Sequence, residues 1–259
     1  MRDKRAPDHG SPRGKGQRRW WTVELDILSI AAHPDDTELT CGGTIIKMVE
    51  AGYKVGLLDL TAGESGTRGS AVLRSKESER AAKIMGLAHR ETLYFPDAGI
   101  EDTREYKLKI AQKLRELRPR TVILPYWEGR HPDHYTTSRI GYEACFLAGL
   151  AKQPLEGKPH RPHKIIYASL YVPALRPTFI VDISAQFDKK LKAILAFASQ
   201  FSPRGEMRNL FPSRADWRER LAAQAWHFGH MIGVRYGEPF VTREVAAVED
   251  IVNMPVKSI

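Results

Sequence analysis

From Leu25 onward, short β-branched apolar runs alternate with longer segments whose apolar residues recur at helical spacing. That alternation is the mark of a parallel sheet flanked by helices. Leu25–Ala32 is apolar apart from Asp26 and Ser29, as expected of a strand covered on both faces. A helix over Thr44–Glu50, stopped by Gly52, leads to a second strand over Lys54–Thr61. Gly63–Ser70 holds three glycines and follows a strand, the position where open α/β sheets place their ligands. Val72–Leu87 predicts an amphipathic helix and Thr92–Phe95 a third strand. A helix over Tyr106–Leu117 ends before Pro119, and Thr121–Leu124 is a fourth strand. A loop over Pro125–His134 precedes a helix over Tyr135–Leu150, and Pro154–His163 predicts an exposed connection. Lys164–Val172 and Thr178–Ile183 read as two strands close to one another, Ala185–Gln200 as a helix, and Ala215–His230 as the last helix. The fold class is α/β, Rossmann-like, with a mainly parallel central sheet.

Composition narrows the class. With 259 residues, 42% apolar and 27% charged, collagen-like, coiled-coil and wholly disordered readings fail. The longest apolar runs fall short of the roughly 18 residues a membrane span requires. Met1–Arg19 carries seven Lys or Arg against two Asp, a large part of the net charge of +9. Residues 1–22 are therefore expected to be a disordered basic tail, and 23–259 a single domain. The excess charge sits in that tail and no basic stripe interleaved with aromatics follows, so neither nucleic acid nor membrane is an expected partner. No apolar stretch of signal-peptide type follows the basic start, so a cytoplasmic location is expected. Cys41 and Cys145 show no CxxC spacing and read as reduced thiols.

Two clusters carry candidate chemistry. His33-Pro34-Asp35-Asp36-Thr37-Glu38 directly follows the first strand and precedes Gly42-Gly43. The His-x-x-Asp spacing suits one imidazole and one carboxylate on the same ion, with Asp35 left free, and zinc accepts those donor types. Either aspartate also reads as a cap on the following helix. Arg130-His131-Pro132-Asp133-His134 likewise follows a strand and precedes a helix. Two His-Pro-Asp elements at two strand ends are hard to explain as caps. Protein ligands with an exchangeable water are the arrangement of a catalytic zinc, so the combined pattern points to metal-assisted hydrolysis.

On Ala32–Glu38, Gly42-Gly43-Thr44 and His131–His134 the chain resembles the LmbE-like, or PIG-L, family of zinc-dependent N-acetylglucosamine deacetylases, and the resemblance extends from Leu25 to about Phe240. It implies a three-layer LmbE-like sandwich with Zn2+, or another divalent ion such as Fe2+, on His33, Asp36 and His134. It implies Asp35 as general base, His131 near the developing oxyanion as an imidazolium or general acid, and Asp133 as the partner orienting His131. Glu64, Arg74 and Asp97 match positions that contact sugar or aglycone. Arg130 stands where the bacillithiol-biosynthesis branch has an arginine. With Arg74 it is expected to grip the two carboxylates of a malyl group, making N-acetylglucosaminyl malate the expected substrate. Other N-acetylated amino sugars, such as chitooligosaccharides, are the alternative, and a non-catalytic metal or sugar binder is the alternative from another class. The resemblance also implies a small amino-sugar partner and a homo-oligomer, with a hexamer among the forms relatives adopt.

Overall fold

The computed structural model describes residues 24–169, 172, 174–201 and 217–256. The basic tail over 1–22 lies outside the described residues, as do residues 215 and 216 at the start of the last expected helix. The described elements run β1 (Ile27–Ala31), α1 (Asp36–Glu50), β2 (Val55–Thr61), α2 (Ala71–Met85), β3 (His89–Phe95), α3 (Arg104–Leu117), β4 (Thr121–Pro125), α4 (Pro132–Ala148) and β5 (Lys164–Ala168). β6 (Phe179–Asp182), α5 (Phe187–Leu195), α6 (Ala198–Phe201), α7 (Trp217–Met231) and β7 (Gly237–Val241) follow. No described helix is long and apolar enough to cross a membrane.

Seven strands form one sheet in the order β3-β2-β1-β4-β5-β7-β6, parallel from β3 to β5. Successive strand residues point to opposite faces, and both faces are apolar. Leu28, Leu58, Leu60, Val122 and Leu124 pack with α3 and α4. Val55, Leu57, Ile123 and Ala168 pack with Cys41, Ile45 and Ile46 of α1, Met85 of α2 and Ala193 of α5. The three-layer α/β sandwich follows, with β1 and β4 covered on both faces at its centre. Connections from β1 lead one way to β2 and β3, whereas β4 and β5 lie on the other side. The crevice at the carboxyl ends of β1 and β4 is therefore the topological switch point of the sheet, where such folds bind ligands.

Several elements depart from the pattern-based reading. β5 and β6 are not neighbours, because β7 inserts antiparallel between them. α1 begins at Asp36 and runs through Gly42-Gly43, with non-helical backbone only at Cys41 (φ −136°, ψ 19°). The glycine is demanded by packing: a Cβ on Gly43 would stand 2.8 Å from Ile183 Cδ1. Beyond the kink, the amides of Gly43 and Thr44 donate to the Glu238 carboxylate of β7 at 2.9 and 2.6 Å. Lys190 of α5 donates to the same carboxylate at 2.6 Å, with both side chains buried. The helix expected over Ala185–Gln200 is broken between Leu195 and Ala198. The break buries Phe197 and lets Ser199 N–H and Oγ donate to the Glu77 carboxylate.

Glu238→Leu strands the Lys190 ammonium in the core and frees two helix amides. It is expected to lower stability by about 3–5 kcal/mol, the scale for breaking one half of a buried pair. The double change Glu238→Gln with Lys190→Met, which leaves no unpaired charge, is expected to cost less. Urea midpoints at constant m-value check both.

Candidate active site

Both sequence clusters stand at the switch point. β1 and β4 pair in parallel, so the turn from β1 into α1, carrying His33, Asp35 and Asp36, faces the turn from β4 into α4, carrying His131, Asp133 and His134. Asp36 Oδ2 is 3.1 Å from His33 Nδ1 and 3.2 Å from His134 Nε2, and the two nitrogens are 3.3 Å apart. One proton bridges a single edge of such a triangle. A cation holding each donor at about 2.0–2.1 Å in tetrahedral array sets all three edges near 3.3 Å. The His, Asp, His donor set and its spacing thus fit a divalent ion such as zinc or ferrous iron.

The far side of His33 is equally constrained. Its Nε2 lies 3.0 Å from Asp97 Oδ1 and 3.3 Å from Asp133 Oδ2. Asp133 also accepts from the amides of Ala98 at 2.8 Å and Ile100 at 3.3 Å, with Ala98 in the left-handed region at φ 61°. With Nδ1 turned into the triangle, the Nε2 proton and these carboxylates hold the ring, the carboxylate–histidine arrangement that orients metal ligands. Burial disfavours charge on His33, but Asp36, Asp133 and Asp97 outweigh it and push its pKa up to about 12. Burial likewise opposes the Asp36 carboxylate, yet His134 and His33 hold it well below the usual carboxylate range.

Asp133 is expected from the sequence to orient His131 with its carboxylate. In the structure that carboxylate faces His33, and what reaches His131 is the Asp133 amide, which donates to Nδ1 at 3.2 Å. His131 is thereby the N-cap of α4, ahead of Pro132 at the first helical position. Burial, with His33 and His134 nearby, lowers the His131 pKa from its ordinary value. A neutral ring that accepts at Nδ1 carries its proton on Nε2.

Asp35 makes no cap hydrogen bond with its side chain. Its Oδ2 accepts from Arg74 Nη2 at 3.1 Å. Burial raises the Asp35 pKa and Arg74 opposes it, leaving the group at about 6. Arg74, expected among the substrate residues, is buried, and its Nη1 donates to the Gly63 carbonyl at 2.9 Å. It faces Asp35 rather than open solvent because Gly63 (φ 69°) lets the loop close over the guanidinium, where a Cβ would lie 1.9 Å from Nη1. Glu64 and Asp97 join two loops: Glu64 Oε1 accepts from the Asp97 amide and Asp97 Oδ2 from the Ser65 amide, each at 2.8 Å. Arg130 is exposed at the rim and makes no ion pair or hydrogen bond among the described residues. The tie from Asp97 to His33, the carbonyl of Gly63 and the amides of Ala98 and Ile100 are absent from any sequence pattern.

Residues 28–145 match the PIG-L family, described as GlcNAc-PI de-N-acetylase. The diacetylchitobiose deacetylase of Thermococcus kodakarensis is 34% identical over 227 residues, 82% of this chain and 80% of that protein. A probable N-acetyl-alpha-D-glucosaminyl L-malate deacetylase 2 of Bacillus anthracis is 29% identical over 194 residues, 69% of this chain and 83% of that protein. Among solved structures, a conserved protein from Thermus thermophilus superposes with a TM-score of 0.78 at 43% identity, covering 87% of this chain and 98% of that one. The chain belongs to the PIG-L family and is an enzyme of the deacetylase class.

Asp133→Asn leaves His33 with a weaker acceptor behind it. It is expected to lower divalent-ion affinity about 10- to 100-fold, the usual cost of losing a carboxylate behind a ligating histidine. Competition with a chromogenic chelator checks this without reference to turnover.

Proposed function

We propose that this protein hydrolyses the acetamide of an N-acetylglucosamine conjugate, releasing acetate and the free amine, with zinc held by His33, Asp36 and His134. The observation that carries this reading is the three-donor triangle with a separate carboxylate, Asp35, beside it. A divalent ion bound there polarises the amide carbonyl and makes water more acidic. Asp35 accepts the proton of the attacking water and passes it to the leaving nitrogen as the C–N bond breaks. Arg74 holds that carboxylate in place and favours its ionised form. His131, with Nδ1 occupied by the Asp133 amide, presents Nε2–H to the carbonyl oxygen as it gains charge. Two buried unpaired thiols, Cys41 and Cys145, fit the reducing cytoplasm.

For the aglycone we propose the malyl glycoside, on Arg130 alone, because its unpaired guanidinium suits a carboxylate. Arg74 is committed to Asp35 and Gly63. Chitooligosaccharides are the second reading, favoured by the 34% identity to a diacetylchitobiose deacetylase.

Amine release from N-acetylglucosaminyl malate and from diacetylchitobiose, run side by side, separates the two. Preference for the malyl substrate that Arg130→Ala removes supports the first, and equal or better rates on the neutral sugar overturn it. Asp35→Asn is expected to lower kcat about 10²- to 10⁴-fold, the range for losing a general base, at unchanged metal content by elemental analysis. Chelation is expected to abolish turnover and Zn2+ to restore it; turnover that survives complete metal removal refutes the mechanism.

A further inference from the structure

The loop between β4 and α4 is pinned at both ends and bare in the middle. The Tyr126 amide donates to the Ala168 carbonyl of β5 at 2.9 Å, and His131 is fixed as the N-cap of α4. Between them Glu128, Gly129 and Arg130 are exposed, and a Cβ on Gly129 would meet nothing within 4 Å. Trp127 is thus the last packed side chain before Arg130. Its ring centre lies 4.3 Å from that of Tyr126, and it stands edge-on to the buried Tyr167 ring at 4.7 Å.

A further support of Trp127 comes from beyond β7. The Arg243 guanidinium lies 4.8, 4.7 and 5.1 Å from the ring centres of Trp127, Tyr142 and Tyr167, close enough for cation–π attraction to each, with indole the strongest acceptor. Arg243 forms no salt bridge or hydrogen bond among the described residues, so the rings are its partners there. Tyr142 belongs to α4 and Tyr167 to β5. The cation therefore ties the indole of the loop to a helix and a strand that do not move with it.

We infer that Arg243 is a positioning residue: through Trp127 it fixes the loop over 127–131 and so sets where Arg130 stands at the mouth of the site. Consecutive Cα atoms are about 3.8 Å apart, and Arg130 is three steps from Trp127 and one from His131. With both neighbours held, its backbone has little room; with Trp127 loose, the loop hangs from Tyr126 and swings more widely. His131 and Asp35 are placed by the start of α4 and by Arg74, not by this loop. The chemistry is thus expected to survive while the grip on an anionic substituent weakens. That kinetic consequence rests on the reading of Arg130 as a carboxylate contact, whereas the anchoring does not.

Hydrogen–deuterium exchange read by mass spectrometry on the full, metal-loaded chain tests the anchoring, and steady-state kinetics test its consequence. Arg243→Met keeps the reach of the side chain without its charge, and Arg243→Lys keeps the charge. In Arg243→Met the amides of 127–131 are expected to exchange about tenfold faster through easier local opening, with those of 138–148 in α4 unchanged. KM for N-acetylglucosaminyl malate is expected to rise about fivefold, the factor one cation–π contact supports, at unchanged kcat and zinc content. Arg243→Lys is expected to stand closer to the native protein in both respects. Native exchange over 127–131 in Arg243→Met overturns the proposal. So does faster exchange spread evenly along the chain, a lysine variant no better than the methionine one, or a fall in kcat at constant KM. Should the native protein prefer a neutral sugar, the substrate reading falls and the exchange measurement alone decides the anchoring. Should Arg243→Met fail to fold, Tyr142→Leu, which withdraws one ring from the guanidinium, decides by the same exchange measurement.

Discussion

Buried negative charge at the carboxyl ends of β1 and β4 governs this molecule. Asp35, Asp36, Asp97 and Asp133 converge within a few ångströms of His33, where burial makes unpaired charge expensive. The protein answers with Arg74 on one side and the two imidazoles on the other. Those imidazoles, together with Asp36, leave three lone-pair donors 3.1–3.3 Å apart, a spacing one proton cannot satisfy and a divalent cation can. The same surplus divides the labour among the aspartates. Asp36 faces both imidazoles, Asp97 and Asp133 hold His33 from behind, and among the described residues the Asp35 side chain is tied to Arg74.

Support for this arrangement comes from far away in the chain. α1 changes course at Cys41, and the amides exposed by the kink are capped by Glu238, almost two hundred residues later in the sequence. Lys190 neutralises that carboxylate, so β7, α5 and α1 share one buried ionic joint. Behind the first turn, Arg90 of β3 donates to Glu38 and Asp59, which gives the last residue of the His33–Glu38 motif a place in the core rather than at the site. The motif therefore serves two purposes: its first half addresses the crevice, and its end anchors α1 to the sheet.

Much of this was legible in the chain. Largely apolar runs at Leu25–Ala32 and Thr121–Leu124 mark strands covered on both sides, because there neither face needs many polar residues. Each His-Pro-Asp cluster sits where such a strand ends. β7 was not legible, since Gly237-Glu238-Pro239 lacks the β-branched alternation of a strand and carries a charge that is buried only because Lys190 meets it. The start of α1 was also hidden. Gly42-Gly43 reads as a helix breaker, and only the closeness of Ile183 shows why glycine stands inside the helix.

Residue identity and local spacing alone determined the layered α/β class, the two chemical clusters and the family resemblance, because those depend on patterns within a few residues of chain. Which carboxylate faces which imidazole was decided by folding. Asp133 and Asp97 reach His33 across 100 and 64 positions, and Arg74 turns to Asp35 because a left-handed glycine folds the loop over it. Hydrogen bonds act through space over about 3 Å, and no spacing along the chain records which distant groups the sheet brings within that reach.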